Sequence, residues 1–286
     1  QFTPTYFTKQ LGFVINQFSG AGCDHMVNFP TLPIAGALRV SPDSILNMQT
    51  PVGKEIGTAG YYAATVDHSI RAELTVTERT GMARYTFSSK EKQGTVIIGG
   101  GVAATSIQVA AIKITGPHSC EGYAEGGAFC GIPTPYKVYF VAEFDADAES
   151  FGTWKEERLH ANHTFAEGSH SGVYFTFPLK EGNQAVQYKI GVSYVSVENA
   201  RENLRVENPA WDFSAVRQAT QDKWNEYLGK IEVEGDNEDR QMQFYTHLYR
   251  SLIHPNVCSD VNGEYMGADS QDRKSTRLNS SHSSVS

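Results

Sequence analysis

Alternation of apolar and polar residues with a period of two sets the tightest limit on the fold. It runs through residues 70–76 (IRAELTV), 137–147 (KVYFVAEFDAD) and 186–197 (VQYKIGVSYVSV). This period places one face of a strand in a core and the other in water. Residues 172–179 are a shorter, almost wholly apolar run, and turn-forming residues separate the runs. We therefore interpret residues 58–205 as β-structure, mainly β overall and arranged as an antiparallel sandwich.

The period changes near residue 207. Residues 207–235 predict a linker helix that begins at Pro209 and stops at Gly229. A second helix follows in the next twenty or so residues and ends at Pro255. Its apolar face, spaced i, i+3, i+4, i+7 and i+8, comprises Tyr245, Leu248, Tyr249, Leu252 and Ile253. The change of period predicts a β-sandwich domain over residues 1–206 and the start of a helical domain over residues 236–271.

Residues 272–286 (DRKSTRLNSSHSSVS) differ from everything before them. They are rich in Ser, lack periodicity and contain almost no apolar residue. The segment resembles an in-frame translation of a sequencing-library adapter, and a natural polar linker is the alternative. The chain also opens without Met or a signal segment. We expect a fragment cut at both ends, with an artefactual tail that has no function.

Charge and composition exclude some classes of protein. The formal net charge is -8, which argues against a nucleic-acid partner and suits neutral ligands such as sugars. No run approaches the roughly 18 apolar residues of a membrane-spanning helix. The spacing of the four cysteines argues against zinc. Cys120 and Cys130 bracket a Gly-rich segment that we interpret as a loop. The two cysteines either form a disulfide that closes this loop or are two buried free thiols.

Residues 18–30 (FSGAGCDHMVNFP) are the first candidate binding segment. Gly20 and Gly22 let the backbone approach a ligand closely, and Cys23 and Asp24 add polar groups. Cys23 and His25 are too close in sequence to face each other as a nucleophile pair. The alternatives are a metal pair or a structural glycine turn.

Residues 259–271 are the second candidate. A calcium loop starting at Asp260 would need Gly at its sixth position and Glu at its twelfth, but Tyr265 and Gln271 stand there. Asn262 and Gly263 predict a type I′ hairpin turn instead. Asp269, which follows the hairpin, could place a carboxylate at the rim of a cavity or could be a solvated turn acid.

No pair of residues identifies itself as a catalytic acid and base, so we assign no catalytic residue. His160, His163 and His170 have a spacing that gives little support to a metal site and is typical of a solvated loop. Glu121 and Glu125 are possible acids whose separation the sequence does not define.

Three stretches together carry a resemblance to a known family. They are residues 11–33 (LGFVINQFSGAGCDHMVNFPTLP), 58–87 (TAGYYAATVDHSIRAELTVTERTGMARYTF) and 244–269 (FYTHLYRSLIHPNVCSDVNGEYMGAD). In this order they resemble glycoside hydrolase family 92, the calcium-dependent exo-acting α-mannosidases. The resemblance covers about residues 10–271. One departure is that Ile15, Asn16 and Gln17 stand where the family usually has His, which puts the linkage preference in doubt.

The resemblance implies an N-terminal β-sandwich packed on a C-terminal (α/α)6 barrel. It implies hydrolysis of mannose-containing glycans with inversion, by two carboxylates roughly 6.5–9.5 Å apart, with calcium assisting. Both carboxylates and the main calcium ligands would lie in the barrel beyond this chain, so we expect the chain alone to be inactive. Gly20, Gly22, Cys23 and Asp269 would line the mannose pocket, and Asp24 is our further candidate there.

The resemblance also implies a periplasmic, cell-surface or secreted bacterial protein. The alternative function is a non-enzymatic carbohydrate-binding sandwich.

Overall fold

The structure is a computed structural model that describes residues 9–10, 12–16, 26–42, 50–103, 105–181, 184–253, 257–267 and 271–274. Nearly all the strands it forms belong to two antiparallel sheets, as the alternating sequence pattern predicts. The larger sheet has ten strands in the following order. They are β1 (Lys9–Gln10), β3 (Thr50–Thr58), β4 (Tyr61–Val66), β5 (Ile70–Val76), β6 (Thr80–Thr86), β15 (Ala185–Ser193), β10 (Ile132–Phe144), β9 (Ser119–Phe129), β8 (Ile107–Gly116) and β13 (Phe165–Glu167).

The smaller sheet has five strands. In order they are β12 (Arg158–Ala161), β11 (Ser150–Lys155), β14 (Ser171–Pro178), β7 (Gln93–Gly99) and β2 (Thr31–Ala35). The central strands β14 and β7 are buried on both faces, which explains the nearly continuous apolar run in residues 172–179.

Aromatic side chains from both sheets form the core between them. Phe140 of β10 lies with its ring centroid 4.2 Å from that of Phe29. Phe144 packs against Phe175 and Phe177 of β14, at 5.0 and 4.9 Å. Rings at these separations contribute packing energy beyond their buried area. The predicted β-sandwich is therefore confirmed.

The Gly triplet at residues 99–101 serves close packing of the backbone. A Cβ on Gly101 would lie 2.0 Å from the carbonyl oxygen of Gly168. The amide of Gly101 also donates to the carbonyl of Ser171, at 2.9 Å. These glycines hold β7 against the β13–β14 connection.

A first helix, α1 (Val197–Glu207), corrects our interpretation of residues 58–205 as β-structure throughout. Ser196 caps it by accepting from the amide of Asn199. Its buried face is half polar: Asn199, Ala200, Asn203 and Leu204. Because two asparagines occupy that face, the apolar periodicity that reveals a helix is missing.

A second helix, α2 (Phe213–Leu228), lies within the predicted linker helix. It begins at the cap Asp212 rather than at Pro209, and ends at Gly229 as predicted. Phe213 is buried against Tyr61 and Met82 of the larger sheet. The guanidinium of Arg217 stacks 3.7 Å from the ring centroid of Tyr61. The helix is thus docked on the outer face of β4–β6.

A third helix, α3 (Glu238–Ser251), confirms the helix predicted after residue 236. Glu238 and Asp239 occupy its first turn, where they favour the positive end of the helix dipole. None of its residues is buried, although Tyr249 packs on Trp224 of α2 with ring centroids 4.7 Å apart. Pro255, the predicted stop, lies outside the described residues.

A short hairpin, β16 (Glu264–Met266) and β17 (Asp272–Lys274), follows. The predicted type I′ turn before it is wrong. That type requires two positive φ angles, and among residues 261–263 Gly263 alone has one, at 84°. The amide of Gly263 donates to Asp260, and that of Asp260 to Glu264, which is a type I turn closed by a glycine bulge.

The first three residues of the predicted tail, 272–274, form β17. Residues 275–286 lie outside the described part of the chain, so their artefactual origin stays a prediction.

The predicted Cys120–Cys130 bridge is wrong, and so is the alternative of two thiols. Cys120 is a free, buried thiol and Cys130 is disulfide-bonded. The intervening residues are strand β9 rather than a loop, so at about 3.3 Å per residue the two lie at opposite ends of it. Burial raises the pKa of the Cys120 thiol far above its ordinary value, with Glu121 adding to the effect.

No helix in the described ranges combines the length and apolar character needed to cross a bilayer.

Candidate functional site

The five predicted binding residues, Gly20, Gly22, Cys23, Asp24 and Asp269, lie outside the described residues. The structure does describe the chain on both sides of each segment. Residues 12–16 and 26–30 stand on either side of the undescribed part of the first candidate, and residues 257–267 and 271–274 on either side of that of the second.

Two buried asparagines close the base of the first segment. Asn16 and Asn28 are 7% and 2% exposed. The side-chain oxygen of Asn16 accepts from the Asn28 amide at 2.8 Å, and its Nδ2 donates to Asn28 Oδ1 at 2.9 Å. The backbone amide of Val27 also donates to the Asn16 carbonyl. The pair brings residues 16 and 28 together and leaves residues 17–27 as a connection between fixed ends.

The backbone leaving this segment is strained. Met26, Val27 and Phe29 have φ angles of 58°, 62° and 57°. Left-handed backbone is unusual for such residues, above all for β-branched Val27, and costs on the order of 1–3 kcal/mol at each position. Strain of this kind persists where surrounding contacts enforce it, and here the asparagine pair and the buried ring of Phe29 do so.

Asn28 also reaches the larger sheet. The phenol of Tyr136 on β10 donates to Asn28 Oδ1 at 2.8 Å, and burial raises the pKa of Tyr136. Asn28 Nδ2 is buried and has no hydrogen-bond partner among the residues that the structure describes. The Asn28 amide thus holds one donor available at the base of the first segment.

The carboxylate of Asp260 fixes the second segment. It is 4% exposed and accepts three hydrogen bonds from neutral donors. Ser193 Oγ and Asn199 Nδ2 donate to Oδ2 at 2.7 and 2.8 Å, and Asn203 Nδ2 donates to Oδ1 at 2.6 Å. We call this set of four side chains the Asp260 network. It joins the end of β15, helix α1 and the hairpin segment.

Further bonds extend the Asp260 network along the hairpin. Asn199 Nδ2 also donates to Glu264 Oε2 at 2.9 Å, and Asn203 Oδ1 accepts from the amide of Val261 at 2.9 Å. The bond from Asn199 lowers the pKa of the Glu264 carboxyl, burial opposes this, and Asn262 and Lys274 lower it further. The hairpin is therefore held through both its backbone and its side chains.

A buried ion pair supports the same region. Arg79, 9% exposed in the β5–β6 turn, contacts Glu207 at the end of α1 at 2.5 Å. Its Nε donates to the carbonyl of Ser259, also at 2.5 Å. The pair ties the sheet, α1 and the start of the hairpin segment together.

Tyr194 lies between the two segments. Its hydroxyl donates to Met26 Sδ at 3.6 Å. Burial raises its pKa, with a further electrostatic contribution from Cys258 and then Tyr136. Tyr194 directly follows Ser193 of the Asp260 network. The structure thus brings the anchors of the two predicted segments to one end of β15.

The other candidate residues have structural contacts. Glu121 pairs with Arg201 of α1, and Glu125 with Lys137 at 2.6 Å. His160 lies on β12 and stacks on His163, with ring centroids 5.2 Å apart, so it is not in a loop.

The described residues do not fit a calcium site. Among them no three His, Cys, Asp or Glu residues cluster as metal ligands. The carboxylate of Asp260 accepts three hydrogen bonds. The donor hydrogens take the positions around its oxygens that a coordinated cation would occupy.

Sequence patterns gave no indication of the roles of Asn28, Tyr136, Ser193, Asn199 and Asn203, or of Asp260 as an anchor. One local pattern could have indicated them: Asn199 and Asn203 are spaced i, i+4 and so share one face of a helix. Asparagines on a face that packs against the sheet need buried hydrogen-bond partners.

Comparison with protein families gives two matches in sequence order. The glycosyl hydrolase family 92 N-terminal domain matches residues 5–193, and the family 92 catalytic domain matches residues 199–284. Ser193 and Asn199 of the Asp260 network are the last and first residues of these two matches.

The proteins that this chain is similar to are longer than the chain. An uncharacterized secreted glycosidase from Arthroderma benhamiae is 28% identical over 227 residues, covering 72% of this chain and 29% of that protein. A family 92 α-mannosidase structure from Bacteroides thetaiotaomicron superposes with a TM-score of 0.82 at 22% identity, covering 94% of this chain and 38% of that one. A family 92 inverting mannosidase from the same organism gives 0.76 at 23% identity, covering 86% and 33%.

The chain thus spans about a third of the length of these relatives. At this identity the structural likeness shows a shared fold, and the two domain matches show descent. The chain belongs to glycosyl hydrolase family 92.

Proposed function

We propose that this chain supplies the sandwich and the first part of the catalytic domain of a glycosidase that removes terminal α-linked mannose from glycans with inversion. The observation that carries this proposal is the match to both family domains in order. Two solved proteins of the same fold support mannose as the sugar: one is named an inverting mannosidase, and the other was solved with mannoimidazole.

We place the terminal mannose against residues 20–24 and Asp269. The support is the position of their anchors, which meet around Ser193 and Tyr194. Glycine at positions 20 and 22 would let backbone amides approach the sugar, and Asp269 would accept from its hydroxyls. The catalytic acid and base belong, in this proposal, to the remainder of the catalytic domain.

Calcium dependence is part of the proposal, with ligands outside the described residues. We derive no step through the ion, because the described carboxylates do not fit it. Export from the cytoplasm, to the periplasm, the cell surface or the medium, is supported by the secreted relative.

The test is hydrolysis of 4-nitrophenyl α-mannoside and of α-linked mannobioses by the complete enzyme, followed by proton NMR. We expect β-mannose as the first product, and loss of activity with a chelator that added calcium restores. Release of α-mannose first would contradict inversion, and no release of mannose would contradict the function.

The 286-residue chain by itself should release no mannose. The matched comparison is the complete enzyme at the same concentration. Measurable turnover by the chain alone would contradict the placement of the acid and base elsewhere.

A further inference from the structure

Helices cover only part of the outer face of the larger sheet. Helix α2 packs on β4–β6, and Ala200 and Leu204 of α1 pack on Val141 of β10. The same face continues beyond α1, because cross-strand pairing leads from Val141 through residues 121 and 113 to Phe165 of β13. Phe165 and Val109 of β8 are exposed on it. Among the described residues, this part of the face is open to a ligand.

Two tyrosines stand side by side on this open part. Tyr123 of β9 and Tyr139 of β10 are directly opposite in the strand register, and their ring centroids are 6.0 Å apart. Both side chains are half-buried, so each ring keeps a surface in contact with solvent. Tyrosine offers a large, rigid contact area that ends in a hydroxyl, which suits a ligand with both C–H and O–H groups.

A charge pair lies against the two rings. Lys137 Nζ is 2.6 Å from a carboxylate oxygen of Glu125, and 4.2 and 5.3 Å from the ring centroids of Tyr123 and Tyr139. The two charged side chains are partly exposed, and together they have no net charge. The ammonium has three donors and the carboxylate about four acceptor sites, so their mutual contact leaves hydrogen-bonding capacity on both. We call Tyr123, Tyr139, Lys137 and Glu125 the tyrosine platform.

The chemistry of the tyrosine platform fits a neutral polyhydroxylated ligand. The rings can pack on the C–H groups of a sugar while the ammonium and the carboxylate bond to its hydroxyls. A nucleic acid is disfavoured, because the carboxylate of Glu125 and the net charge of -8 repel phosphates. An apolar segment of protein is disfavoured too, since it would remove water from the Lys137–Glu125 pair without replacing its hydrogen bonds.

We propose that the tyrosine platform is a glycan-binding surface on the outer face of the sandwich. A neutral oligosaccharide or polysaccharide lies across β9 and β10, with sugar rings on Tyr123 and Tyr139 and hydroxyls bonded to Lys137 and Glu125. That this glycan contains mannose rests on the proposed function.

The test is affinity electrophoresis of the complete enzyme in native gels that contain increasing amounts of mannan. Tyr123→Ala should weaken the binding by about tenfold, as should Tyr139→Ala, because each removes an aromatic contact with the sugar. Tyr123→Phe keeps the ring and should stay within about threefold of the wild type. Tyr227→Ala is the matched control, an exposed tyrosine of α2 that also has a lysine over its ring, and should stay within about twofold.

Equal retardation of the wild type, Tyr123→Ala and Tyr139→Ala would overturn the inference. A lower thermal midpoint of Tyr123→Ala with unchanged retardation would overturn it as well, because another part of the protein would then cover the platform. If Tyr123→Ala does not fold, Tyr123→Val, which suits a strand, should show the same tenfold loss, and unchanged binding of that variant would contradict the inference.

Parallel gels with xylan or a β-glucan separate this inference from the proposed function. If the complete enzyme hydrolyses no mannoside but one of these polymers retards it through Tyr123, the proposed function fails and glycan binding by the platform stands. If no polymer retards the wild type more than Tyr123→Ala, the platform inference fails, whether or not mannosides are hydrolysed.

Discussion

The sandwich and the helices after it are stabilised in different ways. Phe140, in the centre of the sandwich, is fully buried, whereas Met242 of α3 is 66% exposed. Helix α2 buries Phe213, and no residue of α3 is buried. The sandwich therefore has one large hydrophobic core, while the helices are attached through two small apolar clusters, around Phe213 of α2 and around Leu204 of α1, together with stacking, an ion pair and the Asp260 network. The position of the hairpin therefore depends on hydrogen bonds and charged groups rather than on burial of apolar side chains.

The largest effect should come from the core. Phe140→Ala removes a ring packed against Phe29 and should lower the free energy of unfolding by about 3–5 kcal/mol. Met242→Ala, its control in α3, should change it by less than about 0.5 kcal/mol. Urea unfolding of the two variants tests the pair. Similar losses would mean that α3 is packed as tightly as the sandwich.

An intermediate effect should come from the ion pair that links the two regions. Glu207→Gln removes the mostly buried carboxylate partner of Arg79, which keeps its contact with the more exposed Glu78 at 3.1 Å, and should cost about 3 kcal/mol. Glu202→Gln breaks an exposed pair with Arg205 on the same helix and should leave stability almost unchanged. Thermal unfolding measures both. Equal effects would indicate that Arg79 is solvated in the native protein.

The smallest effect should be a pH dependence of the stability of the hairpin, seen as protection of its amides against hydrogen exchange. The pKa of Glu264 is lowered below its ordinary 4.5, first by the bond from Asn199. Because the folded-state pKa is below the unfolded one, its contribution is present above the unfolded pKa and is lost as the pH falls through the folded pKa. Because a third of its side chain is exposed to solvent, which screens its interactions, the group should contribute little.

Protection of the Val261 amide, measured from about pH 5 downwards, should fall slightly in the wild type. In Glu264→Gln it should be flat over the same range. A parallel fall in both proteins would assign the dependence to another group.

Local sequence patterns predicted the strands well, because alternation is a local property and the turns between strands carry Gly, Asp and Asn. The same patterns missed α1, whose buried face is half asparagine. They also placed Cys120 and Cys130 in a loop, because the glycines of β9 were interpreted as turn residues.

The site could be predicted only in part. The two binding segments were chosen by composition and family resemblance, and they stay predictions, as does the division of the chain at residues 206 and 236. The groups that anchor them could not be predicted, because the bond from Ser193 to Asp260 joins residues 67 apart. A buried acid held by neutral donors has no local signature, since Asp260 lies in an ordinary turn sequence.

Residue-resolved amide hydrogen exchange on the wild-type chain tests the polar anchoring of the hairpin most directly. It compares the hairpin amides of Val261 and Gly263 with the amides of α3. We expect the hairpin amides to exchange slowly, like those of α1, because Asn203 and Asp260 accept their hydrogen bonds, while the amides of α3 exchange much faster. Hairpin amides that exchange as fast as those of α3 would contradict this anchoring.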